Sequence, residues 1–388
     1  MAIRDCAKQS AAFAALYDVY ENRENYLLEW KEQGRKVVGE LGADVPDEII
    51  IAAGMLPVRV YADPNIDLKY TDIYLERAFE PNIRAAFEKI VDGTYGKLFD
   101  YLVVSHTSDF ELRMWLYLRE MRRSEHEMIL PPVEFVDWLW ARRRLYQEEN
   151  EKVVARFRKV VEKWIAHPIP DADIQDAARV CNEDRVALRQ IAALRRAEKP
   201  RINGSEALVI IGSSFFMERS AHAKLAQQVA LDAQGWPQID GPRVFVTGTA
   251  QESTDLYDLI EAAGCVVVGE DHNWGDRSYD RDTRTDINPI RAIVDRYMLR
   301  DLSTYKASVA ERTEALGNSA VKAAADGVVF YLHEHDESAS WDYPEQKKHL
   351  EANGIETAAF FRQQWPVSKN ESLESELARF AEEMKVNA

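Results

Sequence analysis

The stretch from residue 242 to residue 277, PRVFVTGTAQESTDLYDLIEAAGCVVVGEDHNWGDR, predicts a strand, a helix and a second strand in succession. The two flanking runs, VFVTG and CVVVGE, are short and rich in β-branched residues, and the segment between them has apolar residues at helical spacing. A helix that connects two strands returns the chain to the edge where the first strand began, so the strands lie parallel. The stretch therefore predicts an α/β fold.

The same alternation occurs upstream at residues 35–61 (RKVVGELGADVPDEIIIAAGMLPVRVY) and 98–121 (LFDYLVVSHTSDFELRMWLYLREM). The run MILPPVEF (128–135) predicts a further strand or extended segment. Between the two strand–helix series, from about residue 134 to 200, apolar residues recur at helical spacing, which predicts a helical connection. We therefore expect an α/β protein with two Rossmann-like parallel-sheet domains. The predicted units are an N-terminal helical segment, a first domain with its helical extension, and a second domain, at residues 1–30, 31–200 and 201–388.

The composition is that of an ordinary globular protein, with 46% apolar and 30% charged residues among 388. A formal net charge of −17 argues against nucleic acid as a partner, because the phosphate backbone requires a basic surface. No segment approaches a run of about 18 apolar residues. The N-terminal pattern also lacks the features of a signal peptide, so we expect a cytoplasmic protein without a membrane span. The three cysteines, Cys6, Cys181 and Cys265, are too far apart for a metal-binding motif.

Three polar segments follow apolar runs that we interpret as buried strands: SHTSD (105–109), EDHNWGDR (270–277) and HEHDESASWDY (333–343). In open parallel sheets, ligands bind outside the carboxyl ends of the strands, where the connecting loops collect. We therefore expect these three loops to converge at the cleft between the two domains.

Several segments in a fixed order resemble one known family. They include VPDEIIIAAGMLPVRVY, FDYLVVSHTSD, NGSEALVIIGSSFFM, PRVFVTGTA and DGVVFYLHEHDESASWDYPEQKKHLEANGIET, together with the GEDHNWGDR loop. This set resembles the 2-hydroxyacyl-CoA dehydratase D-component family, which includes the cluster-bearing subunits of benzoyl-CoA reductase. The resemblance extends from about residue 25 to residue 385.

The resemblance implies a two-subunit assembly with an oxygen-sensitive [4Fe–4S] cluster held between Rossmann-like domains. Members of the family receive electrons from a separate ATP-dependent activator and act on a coenzyme A thioester, either dehydrating a 2-hydroxyacyl group or reducing an aromatic ring. The cluster is held by cysteines in the three loops described above. In this sequence those positions hold Ser108, Asn273 and Asp336, or His335 in place of Asp336 if the third loop is shifted by one residue.

Iron–sulfur clusters are held by thiolates, with imidazole as an occasional substitute, and a carboxamide is a poor ligand. The resemblance therefore implies that this chain has no cluster of its own, and that the [4Fe–4S] group is held by a homologous partner subunit. No other metal site is predicted. A mononuclear site built on histidines is the alternative, but His333 and His335 alternate along a strand end and would point to opposite faces.

Histidine is the commonest general base, so three loop histidines are candidate catalytic residues: His106, His272 and His335. Guanidinium groups, indole rings and glycine turns hold phosphate or flat acyl groups, which gives four candidate substrate-binding residues: Arg277, Trp274, Trp341 and Gly248. Each has a structural alternative. Arg277 could form an ion pair with Asp271 or Asp276, the tryptophans could belong to the core, and the glycine could serve a plain turn.

The favoured hypothesis is that the chain belongs to a 2-hydroxyacyl-CoA dehydratase (a lyase) or benzoyl-CoA reductase (an oxidoreductase) type complex as one of its subunits. It would act on acyl-CoA thioesters together with a cluster-bearing homologue. One alternative is a stand-alone acyl-CoA enzyme that uses histidine and aspartate chemistry in the emptied cleft. Another is a non-catalytic assembly protein that binds acyl-CoA.

Overall fold

The structure, a computed structural model, describes residues 3–300, 302–303, 306–367 and 370–387. Within these ranges the chain forms two parallel four-stranded sheets. The strands of sheet A are Val37–Leu41 (β1), Leu56–Arg59 (β2), Tyr101–Ser105 (β3) and Val133–Val136 (β4). The strands of sheet B are Arg243–Gly248 (β5), Val266–Asp271 (β6), Gly327–His333 (β7) and Glu356–Gln363 (β8). The predicted fold class is confirmed.

Both sheets have the same strand order, β2-β1-β3-β4 in sheet A and β6-β5-β7-β8 in sheet B. In each sheet the chain first adds a strand on one side of the starting strand and then moves to the other side. This creates a switch point between β1 and β3 and another between β5 and β7. Switch points are where open α/β sheets leave a crevice for ligands, so the topology assigns one crevice to each sheet.

The helices surround the sheets in chain order. The helices before and within the first series are Asp5–Lys8 (α1), Ala11–Glu21 (α2), Arg23–Glu32 (α3), Asp47–Ala52 (α4), Thr71–Tyr74 (α5), Pro81–Val91 (α6), Thr94–Leu98 (α7) and Asp109–Ser124 (α8). The connecting helices are Arg144–Ile165 (α9), Asp171–Arg196 (α10), Gly204–Ser213 (α11) and Arg219–Asp232 (α12). The helices of the second series are Asp255–Ala262 (α13), Pro289–Leu299 (α14), Val309–Lys322 (α15), Glu337–Ala352 (α16) and Glu371–Asn387 (α17).

The predicted start of the helical connection, about residue 134, is wrong. Residues Val133–Val136 form the edge strand β4, in which Val136 pairs with Ser105, and the helix begins only at Arg144. The apolar spacing in this short segment fits both structures, and pairing with β3 decides between them. The domain boundaries at residues 30 and 200 stay a prediction.

The two faces of sheet A enter different cores. Val38 and Val103 pack in a cluster with Trp138, whereas Leu102 and Val104 belong to a larger cluster that includes residues of the N-terminal helices and of sheet B. Alternate residues of a strand point to opposite faces, so both faces of the sheet are covered, as parallel sheets require. None of the helices described is both long enough and apolar enough to cross a membrane.

Candidate functional site

A cavity of about 540 Å³ opens at the carboxyl ends of strands from both sheets. Its wall includes Gly42 after β1, Thr107 after β3, Thr249 after β5 and His335 after β7. The switch points of the two sheets therefore face one shared space. The volume lies within the roughly 300–1,000 Å³ typical of small-molecule sites.

Eight of the ten predicted site residues line this cavity: Ser108, Gly248, His272, Asn273, Trp274, Arg277, His335 and Asp336. The three polar loops therefore do converge. The structure does not bring the remaining two, His106 and Trp341, to the cavity wall. His106 Nδ1 instead lies 2.9 Å from Asp137 Oδ1, just beyond the end of β4.

Trp341 is 80% exposed because the segment that contains it is helical. Helix α16 begins at Glu337, so the predicted loop at residues 333–343 is shorter than expected and Trp341 lies on the outer surface of a helix. A predicted substrate-stacking role for this indole has no support from its position. Trp274, by contrast, is 5% exposed and packs edge-on against Phe215, with the ring centroids 5.2 Å apart.

The first loop is held by Ser108. This residue is the N-cap of α8, where its Oγ accepts a hydrogen bond from the Phe110 backbone N–H at 3.2 Å. The same hydroxyl donates to the Glu111 carboxylate. Burial raises the pKa of Glu111 above its ordinary value. Asp109 is the first residue of this helix.

The second loop contains a buried histidine that contacts a buried tyrosine. Tyr257 Oη lies 2.8 Å from His272 Nε2 and 3.3 Å from Glu270 Oε2. His272 Nδ1 has no hydrogen-bond partner within the described part of the chain. Burial, followed by the charge of Arg277, lowers the pKa of His272 to about 3, so the imidazole is neutral at neutral pH.

Arg277 forms the ion pair with Asp271 that the sequence left open as an alternative to substrate binding. Its Nε donates to Asp271 Oδ1 at 2.5 Å, and its side chain also lines the cavity. The backbone oxygen of Asn273 accepts from Arg59 Nη1 at 3.0 Å, whereas the buried Asn273 Oδ1 has no partner among the described residues. The turn thus presents one amide oxygen that a ligand could satisfy.

The third loop, which follows β7, is hydrogen-bonded to the loop that follows β5. Thr249 Oγ1 donates to Asp336 Oδ2 at 2.6 Å, and burial raises the pKa of Asp336. Gly248 has φ +113°, and a Cβ there would lie 2.4 Å from the Tyr331 carbonyl oxygen. Only glycine fits this turn, so the structural explanation of Gly248 is complete without a ligand. His335 is exposed at the cavity rim, with φ 73°.

The cavity is acidic, with four carboxyl groups whose pKa values are raised: Glu80, Glu111, Glu252 and Asp336. Burial is the main cause in each case, and for Glu80 the neighbouring Asp336 and Glu111 add to it. Carboxyl groups with raised pKa values retain their protons more readily, so they can donate hydrogen bonds that carboxylates cannot. Arg59 and Arg277 supply cationic groups to the same wall.

Sequence reasoning missed Arg59, Glu80 and Glu252. Arg59 is the last residue of β2 and Glu252 follows β5, so the rule that polar residues collect at strand carboxyl ends could have identified both. Glu80 precedes α6 in a segment without a strand, and no local pattern indicates that it reaches the cavity.

The donor set does not fit an iron–sulfur cluster. Cys6, Cys181 and Cys265 are free cysteines, and none of them is part of the described cavity wall. Within the described ranges no three His, Cys, Asp or Glu side chains come together as metal ligands. Hydroxyl, amide and carboxyl groups thus occupy the three positions where the resemblance places thiolates.

Residues 43–384 match the sequence profile of the family described as 2-hydroxyglutaryl-CoA dehydratase, D-component. The chain belongs to this family. The match includes the loops around Ser108, Asn273 and Asp336, so the resemblance inferred from sequence segments is confirmed.

Characterised relatives of this D-component chain are similar over most of their length. The (R)-phenyllactyl-CoA dehydratase beta subunit of Clostridium sporogenes is 22% identical, over 87% of this chain and 89% of the relative. The beta subunit of (R)-2-hydroxyglutaryl-CoA dehydratase from Acidaminococcus fermentans is 21% identical, over 89% and 92%. One subunit of the benzoyl-CoA reductase of Thauera aromatica is 23% identical, over 78% and 79%.

Proposed function

We propose that this chain is a subunit of an acyl-CoA dehydratase or benzoyl-CoA reductase type assembly, that it has no [4Fe–4S] cluster of its own, and that it pairs with a homologous cluster-bearing subunit. The observation that supports the proposal is the shared cavity, which is lined by Ser108, Asn273 and Asp336 at the positions where the resemblance implies cluster cysteines. An ATP-dependent activator would then deliver electrons to the partner's cluster. The substrate class rests on the relatives, each named for a coenzyme A thioester.

Two of the three replaced positions now support the local structure. Ser108 caps α8 and Asp336 accepts a hydrogen bond from Thr249, so both side chains hold their turns in place. A turn that keeps its shape without a metal preserves the cavity wall. We infer that the chain retains the scaffold in order to shape the thioester site it shares with its partner.

The wall supplies hydrogen-bond donors for an acyl group. Glu80 and Glu111 retain protons more readily than ordinary carboxyl groups, and the Arg59 guanidinium lines the same cavity. A thioester carbonyl oxygen accepts hydrogen bonds, and oriented donors in a partly buried site polarise it. The chain's own contribution would be to bind and orient the acyl end of the substrate.

The direct test is iron and acid-labile sulfide per chain, measured on anaerobically purified protein with and without co-expressed homologous subunits. We expect no iron on the isolated chain and a cluster only in the complex with a homologue. A full cluster on the isolated chain would contradict the proposal. A stable chain that forms no complex with any cluster-bearing homologue would also contradict it.

A second candidate function is a stand-alone acyl-CoA enzyme, and the unpartnered Nδ1 of His272 favours it. A neutral imidazole with one free nitrogen can donate a hydrogen bond to a substrate or accept one from it, depending on its tautomer. This candidate predicts steady turnover of a coenzyme A thioester by the isolated chain without a reductant, with loss of about 100-fold or more in His272→Gln. His167→Gln, an exposed histidine outside the cavity, is the control.

A further inference from the structure

A second and smaller chamber of about 40 Å³ lies directly behind the wall of the main cavity. Ala43 and Arg59 line both spaces. Five arginines line the chamber: Arg59, Arg185, Arg219, Arg296 and Arg300. The carboxylates that line it are Asp47 and Asp184. Among the lining residues, cationic groups therefore outnumber carboxylates.

The two carboxylates already have partners. Asp47 Oδ2 accepts from Arg219 Nη2 at 2.6 Å, and Asp184 is hydrogen-bonded to His222 Nδ1. Arg185 is satisfied outside the chamber, where its Nη2 donates to Glu48 Oε1 at 3.0 Å. These pairs leave other donors of the chamber without an acceptor.

Four donor atoms of the lining lack hydrogen-bond partners among the described residues: Arg59 Nε, Arg219 Nη1, Arg296 Nε and Ser278 Oγ. Arg296 Nε lies 4.0 Å from Glu48 Oε1, which is beyond hydrogen-bond range. Each of these atoms is buried, and a buried donor without a partner destabilises the folded chain. A bound hydrogen-bond acceptor would satisfy all four of these atoms.

A water molecule is a poor acceptor for these four donors. A water molecule has two lone pairs and two hydrogens of its own to place. Among the described lining side chains, the only buried oxygen without a partner is Ser278 Oγ, so a water would find few acceptors. A monatomic anion accepts from several donors at once and donates to none.

We propose that this chamber binds one halide ion, held by Arg59, Arg219, Arg296 and Ser278. The volume of about 40 Å³ accommodates a particle the size of a water molecule or a chloride ion and excludes a thioester. Chloride is the halide available in a cell. The proposal does not depend on the proposed acyl-CoA function.

The ion would connect parts of the chain that are distant in sequence. Arg59 stacks on Phe215, with its guanidinium carbon 4.2 Å from the ring centroid, and its Nη1 supports the Asn273 turn. An anion on Arg59 Nε therefore fixes the guanidinium that also faces the main cavity. Arg219 of α12 and Ser278 beyond β6 would be tied to the same centre.

The test measures thermal unfolding of the full chain in sodium chloride, sodium bromide and sodium gluconate at constant ionic strength. We expect a saturable rise of the midpoint with chloride and with bromide, and no rise with gluconate. Ser278→Ala removes one unpartnered donor and should raise the halide Kd about tenfold. Ser214→Ala is the matched control, because this lining hydroxyl already donates to the Ile211 carbonyl at 2.7 Å.

Crystals grown in sodium bromide give an independent readout through the anomalous signal of bromine. A peak between Arg59, Arg219 and Ser278 in wild type, weakened in Ser278→Ala, supports the site. A peak without any halide dependence of unfolding would mean an adventitious ion only and would overturn the proposal. Halide-independent unfolding without a peak, or stabilisation by sulfate or phosphate alone, would also overturn it. If Ser278→Ala does not fold, Arg59→Gln replaces it with the same expected loss.

Discussion

Tyr257 Oη lies 2.8 Å from His272 Nε2, and both side chains are buried behind the loop that follows β6. The contact leaves Nδ1 as the ring atom of His272 without a partner in the described residues. The hydroxyl therefore orients the ring and leaves Nδ1 as a buried ring nitrogen without a hydrogen bond. The same contact therefore holds the loop after β6 in place and positions His272, which lines the cavity.

The buried His272 predicts a specific pH dependence of stability. Its pKa of about 3 in the folded chain lies below its ordinary value of 6.5, so between these pH values the unfolded chain binds more protons. The free energy of unfolding should therefore fall as pH falls through this window, by about 1.4 kcal/mol per pH unit from this residue. His272→Gln should reduce that slope in urea unfolding series between pH 7 and 4.

The control for this slope is His167→Gln, which replaces an exposed histidine. It should leave the pH dependence of wild type unchanged. An unchanged slope in His272→Gln as well would mean that His272 titrates normally in the folded chain.

The raised pKa of Glu80 predicts a pH dependence of stability opposite in sign to that of His272. Burial and the nearby Asp336 and Glu111 raise its pKa in the folded chain, so above its ordinary value of 4.5 the folded chain holds a proton that the unfolded chain releases. The stability contributed by this group is present at low pH and is lost as pH rises. Glu80→Gln should therefore raise the unfolding midpoint at pH 8, with a smaller effect at pH 5.

The comparison for Glu80 is Glu120→Gln, whose side chain pairs with Arg123 on the exposed surface of α8. This change should leave stability nearly unchanged at either pH, because an exposed ion pair contributes little. A Glu80→Gln variant that is less stable than wild type at pH 8 would contradict the assignment of a raised pKa.

Gly248 should tolerate no side chain. Alanine there would keep a φ of +113° and bring its Cβ to 2.4 Å from the Tyr331 carbonyl oxygen. Gly248→Ala should lower the free energy of unfolding by about 2 kcal/mol or more. Gly235→Ala has open space around the added Cβ and serves as the control, with a change below about 0.5 kcal/mol. Equal effects of the two changes on urea unfolding would be evidence against a strained turn at Gly248.

The convergence of the three loops predicts that cysteines introduced at Ser108, Asn273 and Asp336 can hold iron together. A variant with Ser108→Cys, Asn273→Cys and Asp336→Cys places all three sulfur atoms on one cavity wall. After anaerobic reconstitution it should bind iron and sulfide that the parent chain does not bind. Iron per chain, sulfide per chain and the EPR spectrum of the reduced protein are the measurements. The control retains Asp336 and should bind less iron, whereas a folded triple variant without iron would contradict the arrangement.

Much of the fold follows from local pattern. Short β-branched runs that alternate with helical periodicity predicted the parallel sheets, because each run is long enough to show its own period. The helical connection was predicted to begin about ten residues too early, since the few apolar residues after residue 134 fit a helix and a strand equally and pairing with β3 decides. The third loop was predicted too long for a different reason, because the residues that form the first turns of α16 are mostly polar and show no apolar periodicity.

By itself, the sequence determined the α/β class and the polar loops at strand carboxyl ends, because these depend only on neighbouring residues. It also showed that the three positions implied by the family resemblance hold Ser108, Asn273 and Asp336 and no cysteine. Only the tertiary structure decided which side chains share the cavity. It placed Glu80 and Arg59 in the wall and Trp341 on the outer surface, since such positions depend on contacts between elements far apart in the chain. The pKa values of Glu80 and His272 were decided in the same way, because burial is their largest cause.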